Sequence, residues 1–179
     1  MDPRQILFEH YPPDSPLTRT LLRHSEQVRD KALEVARKVA HLNPDRAFIA
    51  EAAMLHDIGI YRTAAAALGC RGDAPYIRHG IIGRRILEDY GLGDHALVCE
   101  RHVGVGISRK EIQSRNLPLP HRDMLPDSLE EIIICYADKF FSKSNGGTPH
   151  RPDEIVAQLQ PFGREQAARF MEWHRLFSG

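Results

Sequence analysis

The stretch of residues 47–60 reads AFIAEAAMLHDIGI, and we take it as the starting point for both fold and chemistry. Its apolar residues have helical spacing, and Gly59 is a plausible C-terminal stop. The pair His56-Asp57 closes this predicted helix immediately before the stop. A single His-Asp pair is weak evidence for a site, so its meaning depends on the rest of the chain.

The periodicity on both sides of this stretch is also helical. Strand signals are almost absent, and Asn43-Pro44 is a plausible helix start, with Asn43 as N-cap. We therefore predict an all-α fold in a single domain over residues 1–179, with a core of about 17–145 and a helical extension of about 150–178. The predicted helices cover residues 17–42, 44–59, about 79–90, 94–104, 128–141, 152–159 and 164–177.

Composition excludes several classes of protein. The 179 residues carry 24 Lys plus Arg against 24 Asp plus Glu, a balance that argues against general nucleic-acid binding. No apolar run approaches the roughly 18 residues of a membrane span, and the polar first residues do not resemble a signal peptide. Three widely spaced cysteines form neither a disulfide framework nor a Cys-x-x-Cys site. We expect a cytoplasmic protein that does not bind membranes.

Histidine is abundant, with ten residues in the chain, and several lie where a helix would otherwise carry an apolar residue. Burying such groups without partners is costly, so we expect them to share a divalent cation. Nitrogen and carboxylate ligands suit Mn, Fe, Co, Ni or Zn, and a set of six suits two ions about 3.5–4 Å apart. The candidate ligands are His24, His56, Asp57, His79, His102 and Asp138. The histidines expected at the surface are His10, His41, His95, His150 and His174.

The order of these residues resembles that of the HD phosphohydrolase superfamily, and residues 56–59 match its HDIG core. The positions of His79, which is followed by Gly80 and Gly83, and of His102 resemble the pattern of the binuclear branch of that superfamily. The resemblance covers residues 17–145 and implies a bundle of five core helices with metal-dependent phosphoester hydrolysis, usually of nucleotides. The runs 103–107 and 129–139 also resemble an uncharacterised prokaryotic HDIG group, which implies fold and metal but says little about substrate.

The resemblance also implies which ligands would hold which metal ion. Asp57 would bridge two metal ions, with His24, His56 and Asp138 completing one site and His79 and His102 holding the second. We expect a metal-bridging hydroxide to attack phosphorus in a nucleotide, a dinucleotide or another small phosphoester. Asp57 and Lys139 are the candidate catalytic residues, with Lys139 as a possible acid for the leaving oxygen.

One position departs from the family pattern. Many members continue HDIG with a lysine that contacts phosphate, whereas this chain has Ile60. The candidate substitutes for binding substrate are Arg62, Arg84, Arg101 and Lys139. The proline-containing segment 104–127 follows His102 directly, so we expect it to overhang the site. The alternative is a surface loop with a short helix around residues 109–115.

Other interpretations of the same residues remain open. Some proteins with this six-ligand set resemble di-iron oxygenases, in which the shared ligands bind iron and activate oxygen. A non-catalytic nucleotide-binding sensor is a second alternative, although such a decayed site would be expected to have lost some ligands. The aromatic residues of segment 164–177 predict either a helix packed on the core or the face of a homodimer.

Overall fold

The computed structural model describes residues 1–144 and 147–178, and within these ranges it contains helices and no strand. This confirms the predicted all-α fold. The short helix around residues 109–115 is present as α6. The helices are α1 (Pro3–His10), α2 (Pro16–Lys38), α3 (Arg46–Leu55), α4 (His79–Asp89), α5 (Gly93–Arg101), α6 (Arg109–Ser114), α7 (Leu129–Asp138), α8 (Pro152–Leu159) and α9 (Arg164–Phe177).

Helix α2, the longest helix in the described residues, contributes eight buried residues. Its start is fixed by Ser15, whose Oγ accepts a hydrogen bond from the Thr18 backbone N–H at 3.0 Å, with Pro16 in the first turn. The buried face of α2 packs against α3 and α7. A stripe of apolar and small residues forms this face: Leu21, Val28, Ala32, Val35 and Ala36.

The C-terminal helices extend this core. Phe170 and Phe177 of α9 are buried, and their rings lie 5.3 and 5.1 Å from the ring of Tyr136 in α7. Trp173 is 7 % exposed. The aromatic stripe of α9 is therefore core packing, and the interpretation of this stripe as a dimer face is wrong.

Several predicted boundaries were wrong for identifiable reasons. Helix α2 ends at Lys38, and Asn43 adopts a left-handed conformation (φ 53°) after a 3₁₀ turn. The N-cap of α3 is Asp45, whose carboxylate accepts the backbone N–H groups of Ala47 and Phe48, so Asn43 is not the cap. Helix α1 was not predicted, since its short apolar pattern contributes only Ile6 and Leu7 to the core.

The turn after α3 is held in place by close backbone packing. A Cβ atom on Gly59 would lie 2.2 Å from the His79 carbonyl oxygen and 2.5 Å from the Gly83 nitrogen. The buried Tyr11 hydroxyl donates to the Ile58 carbonyl at 2.7 Å and accepts the Tyr61 N–H at 3.2 Å. These contacts bring the start of α4 directly against residues 56–59.

Within the described part of the chain, no helix combines the length and apolar character that crossing a membrane requires.

The packing at Gly59 predicts a position-specific effect on stability. Gly59→Ala forces a methyl group against the backbone of α4 and should lower the free energy of unfolding by about 1–3 kcal/mol or more. Gly93→Ala is the matched control, because no atom lies within 4 Å of its added Cβ, and it should leave stability unchanged or slightly raised. Urea denaturation measures both variants. Equal effects of the two substitutions would contradict this packing.

Candidate metal centre

Six buried side chains lie close together. They come from α2, α3, α4, α5 and α7 or from the residues that directly follow these helices. His24 lies within α2, and Asp138 is the last residue of α7. His79 opens α4 and His102 follows α5, while His56 and Asp57 follow α3 directly. Each is at most 8 % exposed. The structure therefore brings together all six residues that the sequence singled out as candidate ligands.

Four of these residues form the first cluster, which consists of His24, His56, Asp57 and Asp138. The Nε2 atoms of His24 and His56 lie 3.2 and 3.1 Å from Asp57 Oδ2. The same two nitrogens lie 3.0 and 3.4 Å from Asp138 Oδ1. One potential ligand atom from each residue thus points to a common centre.

The second cluster consists of Asp57, His79 and His102. The Nε2 atoms of His79 and His102 lie 3.4 and 3.5 Å from Asp57 Oδ1 and 3.1 Å from each other. Asp57 therefore directs one carboxylate oxygen to each cluster, a geometry suited to bridging two cations.

Backbone carbonyls orient three of the four imidazole rings. The Nδ1 atoms of His56, His79 and His102 lie 2.7, 2.6 and 2.8 Å from the carbonyl oxygens of Ala53, Tyr76 and Cys99 respectively. Since a carbonyl only accepts, Nδ1 carries the hydrogen in each pair. In a neutral ring this leaves the lone pair of Nε2 directed at the cluster, as a metal ligand requires.

Five buried polar atoms of the clusters lack well-aligned hydrogen bonds. Both oxygens of Asp57, both ring nitrogens of His24 and the Nε2 of His56 have no such partner, although the distances above qualify as ion-pair contacts. Leaving buried polar groups unsatisfied costs about 1–3 kcal/mol each. A divalent cation would satisfy the atoms directed at the clusters, so the donor set fits the metal implied by the residues.

Electrostatics in the site separate the two clusters. Burial would raise the pKa of Asp57, but the ammonium of Lys143 and the ring of His56 hold that pKa well below its usual range. Burial opposes protonation of His56, yet the neighbouring Asp57 and Asp138 raise its pKa to about 9. Burial lowers the pKa of His79 to about 3 and also lowers that of His102. The second cluster therefore offers neutral imidazoles.

Two lysines contact the carboxylates of the clusters. Lys143 Nζ lies 2.5 Å from Asp57 Oδ2, and Lys139 Nζ lies 2.7 Å from Asp138 Oδ2. Sequence reasoning identified Lys139 and missed Lys143. The missed residue follows the end of α7 in a segment without helical periodicity, so the only available signal was its position five residues after Asp138.

The three arginines proposed to bind substrate point elsewhere. Arg62 stacks on the Tyr61 ring at 5.4 Å, Arg84 pairs with Glu88 and Glu100, and Arg101 pairs with Glu131 at 3.0 Å. None of the three lines the cavity described below. Their part in substrate binding therefore has no geometric support in the structure.

A cavity of about 660 Å³ opens beside the second cluster. His79, His102, Asp138, Lys139 and Lys143 contribute to its lining. The segment after His102 does overhang the site, because its Gly104, Ile107 and Arg115 line the same cavity. In that segment His121 is exposed, while Arg122 pairs with Glu100. His150, expected at the surface, also lines the cavity.

The sequence and the fold of the chain are similar to those of known proteins. The model of the HD domain matches residues 21–142. The HD domain of the phosphodiesterase PgpH from L. monocytogenes has a similar fold, with a TM-score of 0.55 and 12 % sequence identity over 95 % of this chain and 93 % of that chain.

Three curated relatives are similar in sequence. The uncharacterized protein MJ0778 of Methanocaldococcus jannaschii is 33 % identical over 68 % of this chain and 66 % of its own length. Two proteins named tRNA (cytidine(56)-2'-O)-methyltransferase, from Thermoplasma volcanium and Picrophilus torridus, are 29 % and 35 % identical over 88 % and 68 % of this chain. The alignments span only 42 % and 31 % of those two proteins.

Proposed function

The chain belongs to the HD domain family, and we propose that it is a metal-dependent phosphohydrolase that cleaves a phosphoester of a small molecule, with nucleotides and dinucleotides as candidate substrates. The observation that carries this proposal is Asp57, whose two oxygens face two histidine clusters beside a cavity. One or two divalent transition-metal ions (Fe, Mn, Ni, Co or Zn) would be held there.

The proposed ligands divide between the clusters. His24, His56 and Asp138 would hold one ion and His79 and His102 the other, with Asp57 shared between them. A divalent cation in such a site supplies positive charge to phosphoryl oxygens and lowers the pKa of water toward neutrality. The carbonyl-bound rings of His56, His79 and His102 would keep their Nε2 atoms fixed during the reaction.

Lys139 and Lys143, which contact the carboxylates of the clusters, would act on the substrate directly. Lys143 would place its ammonium on the phosphoryl oxygens and so replace the lysine that Ile60 displaces from the family motif. Burial would lower the pKa of Lys139, but the adjacent Asp138 raises it. Lys139 would therefore remain protonated, and it is our candidate for delivering a proton to the leaving oxygen.

The lysines also bear on the alternative functions. Two ammonium groups next to the clusters favour an anionic substrate, which supports a phosphohydrolase over a di-iron oxygenase. The presence of all six candidate ligands supports an enzyme over a non-catalytic sensor. Methyl transfer, named for two relatives, is not part of the proposal, because the alignments span less than half of those proteins. A homodimer and a cytoplasmic location stay predictions from the sequence.

The direct test is the hydrolysis of bis(p-nitrophenyl) phosphate by protein purified without chelator. We expect turnover that requires metal, and His56→Ala should lose both the bound metal, measured by elemental analysis, and the hydrolysis. Asp57→Asn, which keeps the side-chain volume, should behave in the same way. His41→Ala is the control, because His41 is exposed and lies outside both clusters. Full metal content and activity in the His56 and Asp57 variants would refute the proposal.

The role given to Lys143 has a separate test. Lys143→Gln should lower kcat/KM by about 100-fold, since it removes a positive charge aimed at the phosphoryl group, while the metal content remains that of the parent protein. Lys110→Gln is the matched control, because Lys110 is 82 % exposed and pairs with Glu165 at the surface. Unchanged kinetics in Lys143→Gln would show that this lysine does not act on substrate.

A further inference from the structure

The cavity beside the second cluster is lined by two chemically different sets of side chains. One set contains the candidate ligands and the two lysines, and it fits the phosphoryl group under the function proposed above. The second set, called the apolar wall below, is not used by that function. It consists of Leu68, Ile77, Phe141, Ile155, Leu159 and Phe162, and polar side chains such as Gln158 and Ser142 also line the cavity.

Half of the apolar wall comes from a part of the chain that the HD domain model does not match. The match ends at residue 142, whereas Ile155 and Leu159 lie on α8 and Phe162 lies in the 3₁₀ turn that follows. These residues therefore make the cavity of this chain different from what the family motif alone would specify.

Phe162 is the most exposed member of this wall, with 53 % of its surface accessible. Arg115, which lines the same cavity, holds it in place. The Arg115 guanidinium lies 5.4 Å from the ring centroid, and its Nη1 donates to the Phe162 carbonyl at 3.2 Å. An aromatic ring fixed in this way presents a stable apolar surface at the cavity.

Apolar surface facing water is unfavourable by about 25 cal/mol per Å², which a bound apolar group recovers. The charged side chains that line the same cavity select the group to which that apolar part is attached. The volume of about 660 Å³ lies within the range of small-molecule sites, about 300–1,000 Å³, and leaves room for a ring beside a phosphate.

We propose that the apolar wall binds the organic part of the substrate, and that this part is an uncharged, apolar group of about the size of a phenyl ring esterified to the phosphate, which favours an aryl or alkyl phosphoester over the nucleotides named above. The inference rests on the proposed function for the location of the phosphate. Leu159 and Phe162 are then specificity-determining residues for this reaction.

Binding of two phosphonates to the 179-residue chain in the presence of Mn²⁺ tests this site without requiring turnover. Ethylphosphonate and 2-phenylethylphosphonate carry the same anionic group and differ only in apolar surface. Calorimetry should show that the phenyl compound binds about tenfold more tightly or better, as burial of a ring of this size predicts.

Two variants locate the preference. Phe162→Ala should reduce the ratio of the two affinities to about one third of the parent value or less, with little change in the affinity for ethylphosphonate. Phe8→Ala removes another partly exposed ring (40 % accessible) that does not line the cavity, and it should leave the ratio unchanged.

The outcomes separate this inference from the proposed function. Equal affinities for the two phosphonates, no binding of either, or an unchanged ratio in Phe162→Ala would each overturn the apolar site. A clear preference for the phenyl compound that depends on Phe162 supports the site. If that preference is found in a protein that hydrolyses no phosphoester, the proposed function fails while the apolar binding site stands.

Discussion

The buried carboxylate of Asp57 requires positive charge close to it, and the surrounding helices are arranged around this group. Asp57 is fully buried, and each of its oxygens faces a different group of histidines. Burying an ion of this kind without a counter-charge is among the most costly events in folding. The ammonium of Lys143 and the surrounding rings meet part of this requirement. The oxygens of Asp57 and the Nε2 atoms of His24 and His56 still lack well-aligned hydrogen bonds. Their lone pairs are the ones that a divalent cation would bind.

The backbone around Asp57 is constrained as tightly as the side chains. Gly59 permits α4 to approach the turn, and Gly80 permits α5 to approach α4, since a Cβ there would lie 2.4 Å from the Cys99 carbonyl oxygen. The same approach brings His79 and His102 to Asp57 from two different helices. The Tyr11 hydroxyl fixes the turn from the N-terminal side. The close packing of α4 against α5 and against the turn after α3 therefore also sets the positions of the candidate ligands.

The sequence was sufficient for the fold class and for the six converging side chains, because helical periodicity and misplaced polar residues are local signals. Features that depend on tertiary contacts were predicted less well. Lys143 reaches Asp57 from a segment without periodicity, and Arg84 and Arg101 are taken up by glutamates that no spacing rule connects to them. Asn43 was predicted as a helix cap because Pro44 follows it as a candidate first helical residue, whereas the cap is Asp45. The contribution of α8 to the apolar wall could not be inferred, since it depends on where α8 meets the cavity.

The central claim is that these side chains form a metal centre, and anomalous X-ray scattering from crystals of protein purified without chelator tests it most directly. We expect metal peaks at one or both of two positions, the first beside Asp57 Oδ2 with His24 and His56 and the second beside Asp57 Oδ1 with His79 and His102. Metal bound elsewhere on the protein, with both clusters empty in crystals grown with excess Mn²⁺, would contradict it.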